Sequence, residues 1–482
     1  MPVRVWRRVR RRGWSLAAWF WMAAAGAAAG AAIWFTTGWL LHTTGQVMDR
    51  DAKATGADRA RVRVEAVRTG LAAGAGAGAA VGLMLAFRRQ AHTEHDTAER
   101  RVTELYNAAA EQLGSDKAPV RLTALYTLER LADDNRRHRQ TIVNIICAYL
   151  RMPCAAPAEQ PDHGEGQRQA VRRYQAARAG RPAPQPPSTG PHPDPHEERQ
   201  VRLTAQRILH THLRPDAETP WTGITVDLTG ATLIDFTLTG CTVHEADFNE
   251  ATFTGTADFN GATFTGLANF SGATFTGLAN FSGATFTSAA DFNGAAFTGA
   301  DFSEATFTGT AYFNRATFTR TYFSRAIFTG GADFIEATFT SLANFNGATF
   351  TSLANFNGVA FTGLAYFNGA TFTGAYFTRA TFTGTAHFAE ATFTGLAYFN
   401  GATFTGADFI KATFTGADFN GATFTGRADF SRATFTGVDF EGASVADRNL
   451  AHVLPADWRI EPDEGASGRL MPVTAPAPPS GA

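Results

Sequence analysis

A mainly β chain, built as a stacked solenoid behind helices that enter a membrane, is what this 482-residue sequence predicts. Three observations predict it. From Leu228 to Phe440 an apolar residue recurs every five, sometimes six, residues; ahead of that run lie two long stretches almost free of charge; and a Pro-, Gln- and Gly-rich segment separates the two regions. So short a tandem period means a solenoid, because one unit cannot bury its apolar face alone and must stack on the next. Neither a two-residue nor a 3.6-residue alternation accounts for it.

Within the run the unit reads Ala-Thr-Phe-Thr-Gly. Its centres begin Leu228, Leu233, Leu238, Val243, Phe248 and end at Phe440, 41 in all, and twelve of the 40 steps are six residues long. Phe fills the centres from Phe248 on, so Phe248, Phe253, Phe259, Phe264, Phe270, Phe275, Phe281 and Phe286 open the expected core column. Ala246-Asp247-Phe248-Asn249-Glu250 and Ala300-Asp301-Phe302-Ser303-Glu304 resemble the pentapeptide-repeat family, whose pattern is roughly Ala-(Asp/Asn)-Leu-X-X; here Phe replaces the more usual central Leu. The resemblance covers about 215 residues. It implies a right-handed quadrilateral β-solenoid with four pentads per coil.

The spacing supports that geometry independently. Numbered from Leu228, every six-residue step falls just before an odd centre, as at Thr256, Leu267, Leu278, Thr310 and Arg427. Odd units carry Asp, Asn, Tyr or His before the Phe, whereas even units keep Thr. With four units per coil, two opposite faces are Thr-rich and two carry the variable chemistry, and the extra residues form bulges at the corners leading into the variable faces. Ten coils about 4.8 Å apart make a rod roughly 45–50 Å long. The solenoid is bounded at 223–445. Bare end strands would pair with other edges, so caps are expected at 197–222, from Val201, Ala205, Ile208, Leu209 and Trp221, and at 446–463, from Leu450, Leu454 and Trp458.

The front of the chain reads as a membrane anchor. Residues 14–41 are long enough to span a bilayer, with Trp14, Trp19 and Trp21 at one end and Trp34 and Trp39 at the other as interfacial belts. A loop at 42–68 leads to a second span at 69–87. There Gly70, Gly74, Gly78 and Gly82 recur every four residues as a smooth packing stripe, and Gly26 and Gly30 offer the matching motif on the first span. The basic flank 1–13 and Arg88, Arg89, Arg100 and Arg101 place both termini in the cytoplasm of a multi-pass membrane protein, although the loop is basic too.

Between anchor and rod, 88–153 reads as a small three-helix adaptor, interrupted at Gly114 and Pro119 and ended by Pro153. Residues 154–196 read as a disordered Pro-rich linker and 464–482 as a similar tail. High Ala, Gly and Arg usage suggests a bacterial source.

Function is less legible. The net charge of −1 hides 17 acidic and 7 basic side chains between Asp227 and Glu441. Three cysteines make no disulfide framework or zinc spacing, and Cys241 reads as a small core filler in the place usually held by Ala. The acidic residues are spread along a ladder rather than paired in a cleft, so no catalytic residues, metal or cofactor are expected. One surface feature stands out: Tyr312, Tyr322, Tyr366, Tyr376 and Tyr398 fill the slot before the Phe of odd units, with Arg315, Arg320, Arg325 and Arg379 nearby in sequence. Tyr and Arg dominate binding hot spots. The expected function is a non-enzymatic scaffold, anchored in the lipid bilayer, docking an unknown protein partner or a second copy of itself in a homo-oligomer, without direct nucleic-acid binding. The alternative, implied by family members that resemble DNA, is a mimic that binds DNA gyrase.

Overall fold

The computed structural model describes residues 16–49, 55–153 and 195–473 and divides into two compact units, 1–104 and 105–482. The expected basic flank 1–13, Trp14, most of the linker and the last part of the tail lie outside the described residues.

In the first unit, α1 (Leu16–Asp49) and α2 (Gly56–Leu113) run antiparallel. The seam uses small residues: Ala66, Gly70 and Gly74 are buried, and a Cβ on Gly70 would lie 2.1 Å from the Thr37 hydroxyl, one on Gly74 2.3 Å from Ile33. Gly78, Gly82, Gly26 and Gly30 do not join this seam; among the described residues nothing approaches where their Cβ atoms would be. The partner of the glycine stripe is therefore the pair Ile33 and Thr37, whose side chains fill the space that Gly70 and Gly74 leave open. The expected loop at 42–68 is also corrected. Helix α1 continues to Asp49 and α2 begins at Gly56, because hydropathy marks where apolar residues stop, whereas Ala- and Arg-rich 57–68 still favours helix. Among the described residues one helix, within Gly56–Gln90, is long and apolar enough to cross a membrane. The first predicted span falls on α1, and its side chains from 16 to 25 lie outside the described residues.

The second unit opens with the end of α2, which supplies what the sequence suggested as the first adaptor helix. Next come α3 (Ala118–Asp134), with Pro119 in its first turn, and α4 (Arg139–Arg151). Helix α5 (Pro195–Leu213) lies where the sequence places the N-terminal cap at 197–222. Adaptor and cap are not separate bodies. Leu125, Leu128, Ile142, Ile146, Val201, Ile208, Leu209 and Trp221 share one core with Val226 and Leu228 of the first coil. Charge locks the cluster: the Glu198 carboxylate receives buried Arg202 at 2.8 Å and Arg121 at 3.1 Å, and Arg202 also donates to the α4 end at Leu150 O.

This cluster closes the open edge of the first coil. The Gln140 amide accepts from the Thr225 N–H at 2.9 Å and donates to its carbonyl at 2.7 Å. Gln206 does the same to Ile234, at 3.1 and 2.7 Å. Each side-chain amide thus imitates the missing neighbouring strand, one on each of the two sheets.

The solenoid has four columns of centres, and rings stack every fourth unit: Phe253 on Phe275 at 4.5 Å, through to Phe404 on Phe424 at 5.3 Å. Columns one and two run through eleven tiers, Leu228 to Phe440 and Leu233 to Val445; three and four run from Leu238 and Val243. The rod therefore has about eleven turns rather than ten, because Val445 continues the second column. Its strands form parallel sheets of 17 and 16 strands; the second includes a terminal hairpin. Each sheet wraps one corner, joining an even unit to the odd unit after it. The strand Thr349–Asn355, for example, runs continuously past Phe350 toward Phe356, and register shifts occur at these corners, as between Phe350 and Leu353.

The remaining corners, after odd units, are tight turns. The Ala251 N–H returns to Phe248 O at 3.0 Å, and the residue two after the centre has positive φ, as at Gly261 and Gly294. Inside, all eight named Phe are buried. Rings of columns one and three meet edge to face across the core, Phe259 to Phe270 and Phe270 to Phe281 at 5.4 Å each, a geometry aromatic quadrupoles favour. Phe236, in an inward slot usually held by Ala, plugs the wide first coil against Phe248 and Phe259. Cys241 is buried as expected, its thiol pushed up to about 12 by desolvation.

At the far end, the expected tail from 464 is in part ordered. Gly468–Pro472 pairs antiparallel with Ser444–Val445 and with Trp458–Pro462, so the C-terminal cap is a β-hairpin reaching past 463. Trp458 packs edge-on against Phe440 at 5.3 Å.

Candidate docking faces of the solenoid

The slot before each odd centre is an outward position with varied chemistry, and its commonest occupant, Asp, has a backbone task. Asp247 accepts the Asn249 N–H at 3.0 Å, Asp291 the Asn293 N–H at 2.9 Å and Asp418 the Asn420 N–H at 2.9 Å. Each carboxylate closes a local Asx turn. Asn in the slot does the same and also reaches the preceding tier, as Asn269 donates to Asp247 at 3.0 Å. Much of the acidic column is thus turn chemistry.

A tyrosine in the slot cannot accept that N–H, and another tier compensates. Where Tyr312, Tyr366 and Tyr376 stand, the N–H groups of Asn314, Asn368 and Thr378 are bonded by Asn293, Asn346 and Asn357 of the preceding coil, at 2.9, 2.9 and 3.1 Å. His387 follows the same rule, with Asn368 receiving the Ala389 N–H.

The five tyrosines do not form one band. Tyr312, Tyr376 and Tyr398 lie on column one, Tyr322 and Tyr366 on column three. Within each face the later residues pair: Tyr376 stacks on Tyr398 at 4.9 Å and 14°, and Tyr366 on His387 at 4.8 Å and 10°, with His387 Nδ1 3.5 Å from Asp408. The bulge residues border these pairs. Leu353 and Leu396 beside column one are 41% and 57% exposed, and Leu364 beside column three 43%. Sequence reasoning noted His in this slot but missed these leucines; their signal was the six-residue step, which turns one extra side chain outward.

The arginines divide. Arg315 pairs with Glu336 at 2.9 Å in the next tier, and Arg325 with Glu304. Lys411 and Glu390 repeat the arrangement at 2.8 Å. All six have positive φ in the odd-unit turns, so the pairs link successive corners at an exposed surface, where an ion pair adds little stability. Arg320 and Arg379 are exposed and enter no ion pair among the described residues.

Among the described residues no cluster of three or more His, Cys, Asp or Glu side chains could hold a metal. Two cavities among the described residues lie away from the tyrosines. One is an open groove lined by Leu105, Tyr126, Arg130 and Asp134; the other is lined by Gln140, Cys147, Arg151 and Asp227.

A family model agrees with this architecture. The family described as Pentapeptide repeats (9 copies) matches at 228–274, 238–285, 270–317, 313–360, 356–403 and 399–444. No curated protein matches the chain. Among solved structures the chain is similar to QnrB1, a plasmid-mediated fluoroquinolone resistance protein, at 20% identity over 40% of this chain and 93% of that one, with a TM-score of 0.13. The segment 228–444, with its four stacked columns and its run of matches, is a pentapeptide-repeat domain.

Proposed function

We propose that the chain is a non-enzymatic, membrane-anchored scaffold whose solenoid offers two docking faces to protein partners in the cytoplasm. One observation carries the anchor: the first unit packs its small residues inward and turns its large apolar ones outward. Trp34, Phe35, Trp39, Leu83, Met84 and Phe87 are each more than 60% exposed. In water each would forgo about 1.5–3 kcal/mol of burial; among lipid chains none does. Basic residues flank α1 and the apolar stretch of α2, consistent with a hairpin whose ends both face the cytoplasm. Extraction of native membranes at alkaline pH tests the anchor, and release of the protein into the soluble fraction would contradict it.

The docking faces rest on the stacked pairs Tyr376–Tyr398 and Tyr366–His387 beside exposed leucines. Affinity capture with the full chain, beside a variant carrying Thr at Tyr312, Tyr322, Tyr366, Tyr376 and Tyr398, tests them. Thr is already the outward residue of even units, so the variant should fold, and an identical set of captured proteins would end this reading. The acidic balance favours a second reading, mimicry of DNA toward gyrase. The engagement of Asp247, Asp291 and Asp418 by backbone N–H groups weighs against it. Supercoiling by purified gyrase with the protein added decides, since no effect at micromolar protein would remove mimicry.

A further inference from the structure

We propose that the C-terminal end of the column-one face binds an arginine side chain of the partner protein, held between the free ring face of Tyr398 and the carboxylates of Asp418 and Asp439. The proposal deepens the reading of Tyr376 and Tyr398 as a docking face and rests on it.

Strand register sets the site. Tyr376 pairs with Tyr398, Tyr398 with Asp418, and Asp418 with Asp439 in successive tiers. Tyr376 covers one face of the Tyr398 ring at 4.9 Å. The tier on the other side carries Asp418, whose side chain ends well short of the phenol, so the second ring face stands over a step. Asp418 and Asp439 each give one carboxylate oxygen to a turn, accepting the Asn420 and Glu441 N–H groups at 2.9 and 2.8 Å. Among the described residues their other oxygens accept no hydrogen bond, and neither residue enters an ion pair.

The chain itself indicates what fills such a step. Aspartate slots stand directly over one another in three places: Asp227 with Asp247, Asp408 with Asp429, and Asp418 with Asp439. At the first, Arg151 pairs with Asp227. At the second, on the opposite face, Arg427 pairs with Asp429 at 2.5 Å and His387 lies 3.5 Å from Asp408. The third has Gly437 two residues before Asp439, where Arg427 stands before Asp429. Two carboxylates at one strand spacing repel each other, and a guanidinium between them removes the repulsion and donates to both. The same planar group stacks on an aromatic face, so one arginine meets the ring and the acids together. Leu396, two residues before Tyr398 and 57% exposed, gives its apolar stem a surface to lie on. Arg379, exposed in the tier of Tyr376, repels a cation at the other end of the stack and so sets which end is occupied.

The test uses the detergent-solubilised full chain and three fluorescent Gly-Ser peptides, carrying two arginines, two lysines or two citrullines. The arginine peptide should bind saturably. The lysine peptide should bind several-fold more weakly, because an ammonium is not planar, and the uncharged citrulline peptide at least tenfold more weakly. Asp418→Asn with Asp439→Asn should weaken arginine binding at least tenfold; Asn closes the same turn, as Asn269 does, so the fold is kept. Asp291→Asn, in the same column, should leave binding unchanged. Gly437→Arg supplies the cation from the chain itself: among the described residues a Cβ there meets nothing within 4 Å, so the variant should fold, melt no lower than the parent and lose the peptide. Equal binding of the arginine and citrulline peptides, binding that survives the two asparagines or Gly437→Arg, or none at millimolar peptide would overturn the proposal. If the peptide fails while partner capture still depends on the tyrosines, the arginine site falls and the docking face stands.

Discussion

Thr321 occupies the inward slot that Ala fills in most units; it is fully buried, and among the described residues its hydroxyl has no hydrogen-bond partner. A buried orphan hydroxyl costs about 1–3 kcal/mol, so Thr321→Val, which keeps the shape and removes the polar atom, should stabilise the protein by about 1 kcal/mol, read as a higher midpoint in urea. Asn357 offers the opposite case. It bonds the Thr378 N–H that Tyr376 cannot serve, and Asn357→Ala should destabilise by about 1 kcal/mol and speed amide exchange at Thr378. The same change with Tyr376→Asp should recover most of the loss, because Asp in that slot closes its own turn.

Among the elements, the caps decide whether the rod has open edges. Gln206→Ala leaves both polar groups of Ile234 without their amide partner, and Gln140→Ala does the same at Thr225. Each should cost about 1–2 kcal/mol, and the double variant should aggregate through its exposed strands, visible as concentration-dependent light scattering. Acid should act at the same two ends. Burial alone would raise Asp227, but Thr229 and Arg151 outweigh it and hold its carboxyl below the usual value. Burial likewise opposes Ser431 and Arg427 at Asp429, with the same net lowering. A carboxyl depressed in the folded state contributes stability above its unfolded value of about 3.9 and loses it as pH falls through the folded one. Stability should therefore be flat from pH 7 to about 5 and fall below about 4, with amide exchange rising first in the first and last coils. These ends were the least legible part of the sequence. The Phe period displayed the columns, and the odd position of every six-residue step displayed the corners, because each tier repeats the same burial requirement. A cap forms once: nothing in the sequence near Gln140 or Gln206 shows that its amide will face a strand, and the Gly- and Pro-containing stretch after 464 resembles a tail although Leu470 is buried. The tyrosines were legible as a pattern, but the division of Arg315 and Arg325 into ion pairs depends on which residue stands one tier away.

For the whole molecule, each tier touches only its neighbours, so the coil and not the pentad should be the unit that can be removed. Thr285 stands directly above Thr263, and residues 263–284 contain one Phe from each column: Phe264, Phe270, Phe275 and Phe281. Deleting those residues joins Ala262 to Thr285 and returns every later residue to its own column, with turns, bulges and both caps in place. The shortened rod should fold and melt cooperatively, within a few degrees of the parent. Deleting only Thr263–Leu267 sends Phe270 into column four and exchanges odd and even units throughout the rest of the rod. The left-handed turn residues then meet corners built for extended strands, the edge-to-face rings of columns one and three lose their partners, and the terminal hairpin faces the wrong column. That variant should lose β-sheet signal by circular dichroism and precipitate. Equal melting of the two deletions would show that the four columns are interchangeable and that the division between odd and even faces does not govern the fold.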